Sequence, residues 1–105
     1  MKKIFICSPY RGDTENNLIL ARYWCKQAIE QEDLPIAPHL YFPQFLDDND
    51  SDQRELGIRY GLSLLKQCDE LWICGCTITE GMSQEISCAV KLGIHIIDKE
   101  KENHK

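Results

Sequence analysis

The sequence predicts an α/β domain with four mainly parallel strands in the order 2-1-3-4 and helices on both faces of the sheet. Two observations carry this expectation. Short apolar runs alternate along the chain with longer stretches whose apolar residues recur at helical spacing. The short runs are apolar at successive positions, as strands covered on both faces are, and such strands pair in parallel beneath helices.

Lys3 to Cys7 is a continuous apolar strand. From Asp13 to about Glu32, Leu18, Ala21, Cys25, Ala28 and Ile29 mark a helix, and Asp13 is placed to cap its first amides. Leu34 to Ala37 is a brief second strand among prolines. Leu56, Tyr60 and Leu64 repeat at four, with Gly57, Gly61 and Leu65 beside them, which predicts a helix over Gln53 to Lys66. Glu70 to Cys74 forms the third strand, Met82 to Leu92 a helix, and Ile94 to Ile97 the fourth strand. Residues 1–98 are expected to be one domain, and 99–105 (KEKENHK) a flexible polar tail.

At 105 residues the chain can bury one core unaided. Seventeen acids against twelve Lys plus Arg give a formal charge of -5, which argues against a nucleic-acid partner, since phosphate binding needs a cationic face. No segment approaches the roughly 20 apolar residues of a membrane span, and the run after Lys2 and Lys3 is too short for a leader. A cytoplasmic protein without a membrane partner is expected. Of the six cysteines, Cys7, Cys25, Cys68 and Cys88 sit where a thiol packs as a small hydrophobe. Cys74 and Cys76 flank one glycine, too close for a zinc knuckle, and no second pair exists. Neither a metal site nor a disulfide scaffold is expected.

In open parallel sheets, ligands bind beyond the carboxyl ends of the strands. That rule selects three loops, 8–13, 38–52 and 75–83, all unusual in composition. In the first, Gly12 permits positive φ, Tyr10 can stack, and Arg11 offers a fork to an anion or is simply solvated. No GxGxxG or Walker glycine loop follows the strand, and Arg11-Gly12-Asp13 is no adhesion signal in a cytoplasmic setting. In the second, Tyr41, Phe42 and Phe45 must cover the core, line a pocket or meet another subunit, so a homodimer or larger homo-oligomer is expected. His39 is either a pocket imidazole or a structural one. Asp48, Asp50 and Asp52 imitate a calcium loop, but Gln53 stands where that loop needs glycine, which leaves acids at a helix start. In the third, Glu85 is read as a first-turn residue whose charge the helix dipole favours, either a nucleophile at the sheet's mouth or an ordinary first-turn acid.

Taken together, SPYRG after the first strand, CDELWICG and EGMSQEISCAVKLG resemble the nucleoside 2-deoxyribosyltransferase-like proteins over about Lys3 to Ile97, and more closely a branch of small bacterial and phage proteins related to them. The resemblance implies a flavodoxin-like (Rossmann-like) three-layer sandwich, homo-oligomers, and no cofactor or metal. It makes Glu85 the nucleophile, with Gly81 and Met82 forming the turn before it. It gives Ser8, Tyr10, Arg11 and Gly12 the sugar and any phosphate. Thr79 and Glu80 stand where many of these transferases carry an aspartate that meets the base. Two functions follow: cleavage or exchange of an N-glycosidic bond in a nucleoside or nucleotide, or a non-catalytic domain that binds a nucleotide-like ligand or a protein partner.

Overall fold

The computed structural model describes residues 1–103. Its elements run β1 (Lys3–Cys7), α1 (Thr14–Glu30), β2 (Leu34–Ile36), α2 (Pro38–Tyr41), a 3-10 turn (Phe42–Gln44), α3 (Ser51–Leu65), β3 (Glu70–Ile73), α4 (Glu80–Leu92), β4 (His95–Asp98) and α5 (Lys99–Asn103). The strands form one sheet in the order β2-β1-β3-β4, and every neighbouring pair is parallel. This is the predicted fold. Element ends differ from the sequence reading by a residue or two, as frayed ends do.

β1 and β3 pair in register from Ile4 opposite Glu70 to Cys7 opposite Ile73. Their side chains alternate between two cores. Phe5, Cys7, Leu71 and Ile73 pack with Leu65 of α3 and with Met82 and Ala89 of α4. Ile4, Ile6, Trp72 and Cys74 pack with Trp24 and Ala28 of α1. Both faces are dry, which is why these strands read as unbroken apolar runs.

Polar groups hold the N-terminal edge of the sheet. Glu70 is buried at the start of β3, where it accepts from Lys2 Nζ at 2.7 Å and from Trp72 Nε1 at 3.1 Å. Burial alone would raise its pKa; these two partners more than offset that and hold it below the usual carboxylate range. Asp69 accepts from the Lys3 amide at 2.8 Å and Asp33 from the Lys2 amide at 2.9 Å.

Two segments differ from expectation. The stretch after β2 is not an open loop: Pro38 and Pro43 sit at the first turns of α2 and of the 3-10 turn, where a missing N–H costs nothing. The segment expected to be a polar tail continues as α5, because the Asp98 side chain accepts from the amides of Glu100 and Lys101. Lys99 lies 4.0 Å over the Trp72 ring centroid, so α5 joins α1 on that face. Residues 104 and 105 of the tail lie outside the described residues.

The turn after β3 depends on Gly75, at φ +98°. A Cβ there would stand 2.9 Å from Leu20 Cδ2. Gly75→Ala is expected to cost about 1–3 kcal/mol from backbone strain and the clash together. The measurement is the shift of the urea midpoint, and an unchanged midpoint would refute this account of the turn.

Candidate functional site

Beyond the carboxyl ends of β1 and β3, the segment after β2 folds over the start of α4 and encloses a cavity of about 80 Å³. That is room for several waters, or for a small polar ring on a larger ligand. Tyr10 arrives from the loop after β1, His39 from α2, Phe42 from the 3-10 turn, Arg54 from α3 and Glu85 from α4. Gly57 and Gly61, three and seven residues after Arg54, lie on the same face of α3 and thin its wall. A Cβ on Gly61 would sit 4.0 Å from Glu85 Oε2 and 3.7 Å from Pro38 Cβ. The helix therefore approaches the carboxylate and the α2 segment at one point.

Glu85 is 9% exposed, and its Oε1 has no hydrogen-bond partner among the described residues. Burial raises its pKa from 4.5 to about 7, and a hydrogen bond from the Cys7 thiol opposes the rise. The same neighbourhood pushes the Cys7 thiol far up, chiefly through burial and then through the Glu85 charge. The expectation of a first-turn, dipole-stabilised carboxylate is corrected here. α4 begins at Glu80, so Glu85 is its sixth residue, beyond the turn where the dipole acts, and burial dominates instead.

His39 is half-buried and stacks on Tyr10, with ring centroids 5.4 Å apart and planes at 26°. Burial lowers its pKa; the Asp48 charge and a backbone hydrogen bond with Ser8 work the other way. Asp48 joins the cavity wall and pairs outward with Arg11, Oδ2 to Nε at 2.9 Å, while Arg54 Nε stands 4.0 Å from Oδ1.

The structure thus brings four of the expected site residues, Tyr10, His39, Gly81 and Glu85, around one cavity. Ser8 lies buried at the end of β1, its Oγ also without a hydrogen-bond partner among the described residues. Arg11 and Gly12, the latter at φ +96°, line a shallower hollow outside the Asp48 wall. Thr79 is the N-cap of α4, its Oγ1 accepting from the Met82 amide at 3.2 Å, and it borders a hollow beside Arg11. Glu80 is exposed and faces a different hollow, and Met82 is fully buried in the core. Gly81 makes no tight turn: it lies inside the first turn of α4, and its missing side chain leaves the cavity open.

Sequence reasoning missed Arg54, and it treated Asp48 only as part of an acidic run. The spacing Arg54, Gly57, Ile58, Gly61 was the available signal, since it marks one helical face with two positions too small to fill it. Among the described residues, no three His, Cys, Asp or Glu side chains converge to hold a metal ion. No helix among them is long and apolar enough to cross a membrane.

A family profile described as a domain of unknown function (DUF7768) matches residues 2–99. No curated protein matches the sequence. Among solved structures, a 2-deoxyribosyltransferase from Bacillus psychrosaccharolyticus superposes with a TM-score of 0.72 at 16% identity, over 90% of this chain and 69% of that one. A 2-deoxyribosyltransferase from Leishmania mexicana gives a TM-score of 0.62 at 16% identity, over 93% of this chain and 63% of that one. The shared feature at this identity is the fold.

The buried carboxyl makes a stability prediction. Its folded pKa lies above its unfolded value, so its contribution is complete below pH 4.5 and lost as pH rises through about 7. Glu85→Gln removes that loss. The variant should match the wild type near pH 4 and exceed it at pH 8 by something on the order of 3 kcal/mol. Urea denaturation at the two pH values is the check; a variant no more stable at pH 8 would contradict the buried, unpaired carboxylate.

Proposed function

The chain belongs to the DUF7768 family, and from its site we propose that it cleaves or exchanges the N-glycosidic bond of a nucleoside or nucleotide, with Glu85 as nucleophile. The observation that carries this reading is the Glu85 carboxylate, buried at the mouth of a parallel sheet with one oxygen unpartnered among the described residues. Such a group costs stability, and sites that need a reactive carboxylate accept that cost. The fold shared with two 2-deoxyribosyltransferases supports the same reading.

The chemistry is a double displacement. Glu85 attacks the anomeric carbon, the base departs, and water or a second base resolves the glycosyl ester. A carboxylate desolvated to a pKa of about 7 is a stronger base and nucleophile, once ionised, than an ordinary surface acid. Tyr10, His39 and Gly81 line the cavity in which the ligand would meet Glu85, while Arg11 and Gly12 border a neighbouring hollow outside the Asp48 wall and Thr79 another, where outlying parts of a ligand could reach; Ser8 is buried behind them. Glu80 and Met82 drop out of this reading, the first facing away and the second packed in the core.

A second reading, a binding domain without turnover, draws on Phe42. Its ring closes the cavity from the segment after β2 and touches Tyr60 with centroids 5.6 Å apart. Tyr41 and Phe45, 57% and 64% exposed, lie on the outer side of that segment and form the face we assign to self-association. All six cysteines are free thiols.

The test is base release from a panel of nucleosides and 5'-nucleotides, followed by chromatography. The wild type should release base, and Glu85→Gln should lose activity by about 10³-fold or more while still binding ligand. Binding without base release selects the second reading. Equal turnover by Glu85→Gln excludes Glu85 as nucleophile. Self-association is checked by light scattering, where a monomer mass at high micromolar concentration would contradict the assigned face.

A further inference from the structure

We propose that His39 is the proton carrier of this cavity, taking the proton of the Glu85 carboxyl as the nucleophile forms and delivering it to the departing base. The inference rests on the glycosyl-transfer reading above and assigns the acid–base group that reading lacks.

The geometry narrows the choice to one side chain. A departing base needs a proton, and Glu80, the acid nearest in sequence, is exposed on a different flank. Within the cavity wall, Arg54 carries a guanidinium that does not deprotonate, and Asp48 is already paired with Arg11 at 2.9 Å. Tyr10 is the stacking partner of the His39 ring, and a phenol gives up its proton far less readily than an imidazolium. The Cys7 thiol is pushed far up by burial and holds its proton. His39 remains, a ring fixed by Tyr10 on one side and by the Ser8 backbone on another, open to the same space as Glu85.

The electrostatics of the wall fit this role. Burial favours the neutral forms of both groups, so near neutrality the cavity holds a carboxyl proton beside an unprotonated imidazole. Moving that proton makes a carboxylate and an imidazolium. Asp48 favours the charged ring, Arg54 stands near Asp48, and Glu85 and His39 line the same cavity.

The steps balance. Glu85 passes its proton to His39, and the carboxylate oxygen bonds to the anomeric carbon. The carbon–nitrogen bond breaks, its electron pair goes to the base nitrogen, and that nitrogen takes the proton from His39. In the second half, His39 removes a proton from water as the water oxygen bonds to the anomeric carbon. The ester bond breaks, its pair returns to the Glu85 carboxylate, and His39 gives the proton back. A second base bearing an N–H replaces water in the transfer reaction.

His39→Gln keeps a polar side chain and removes the titrating nitrogen. At pH 7, where much of Glu85 is already ionised, kcat/KM for a purine nucleoside, which reports only the steps up to departure of the base, should fall about 100-fold or more, whereas kcat/KM for a p-nitrophenyl 2-deoxyriboside, whose leaving group needs no proton, should stay within about threefold. Equal losses on both substrates would mean a structural role and overturn the proposal. A second measurement needs no turnover. The His39 ring carbon should titrate by NMR in two steps in the wild type, one of them shared with Glu85, and in a single step in Glu85→Gln. Identical single-step curves overturn the proposal whatever the activity. An inert wild type with a coupled titration removes only the glycosyl chemistry and supports the proton relay.

Discussion

The rest of the molecule depends on the burial of β1 and β3 on both faces. With Ile4, Phe5, Ile6, Cys7, Leu71 and Trp72 all essentially inaccessible, the central pair has no solvent side on which to place polar chemistry. Polar groups are driven to the strand ends. At the N-terminal edge they become structural anchors, Glu70 held by Lys2 and Trp72, Asp33 and Asp69 by backbone amides. At the opposite edge the chain must leave the sheet, and the departing loops carry Ser8, Tyr10 and the start of α4. The same apolar constraint therefore yields a stabilising edge and one that bears the cavity.

The cavity edge is shaped by where small residues are placed. Gly61 takes side-chain volume out of α3 beside the Glu85 carboxylate, Gly57 takes it out beside Leu46, and Gly81 takes it out of α4. Filling those positions with alanine or leucine would close the cavity and add apolar contact. The chain instead keeps a space beside a buried carboxyl. Its pKa of about 7 follows from burial, with only the weak Cys7 donor opposing it. The same cavity wall holds the stacked Tyr10 and His39 rings and Asp48, whose pair with the half-exposed Arg11 is screened by solvent and adds little stability.

The likeness to two 2-deoxyribosyltransferases shows how far a scaffold can be kept while its details change. At 16% identity the fold still superposes over 90% or more of this chain. Fold and chemistry separate at that distance, because one doubly wound sheet serves many reactions through its loops. Here the segment after β2, with its two prolines and its aromatic run, is the part that sets the cavity's size.

The sequence by itself determined the layers. Unbroken apolar strands and helical spacing can be satisfied only by a covered parallel sheet, so the order 2-1-3-4 and the edge that bears the loops were legible before any coordinates. Asp13 as a cap and Gly12 at positive φ were legible too, since both are local matters of one turn. The tertiary structure decided everything that depends on distance between loops. The sequence put Glu85 at the strand ends but gave it the wrong environment: a helix dipole is a local property, whereas the burial of Glu85 involves α3 and the α2 segment, far away in the chain. Arg54 was missed, and Met82 and Glu80 were misplaced, because helical spacing gives a residue's angle around its own axis and not what stands opposite. Side-chain environment is a non-local quantity, and only the folded chain fixes it.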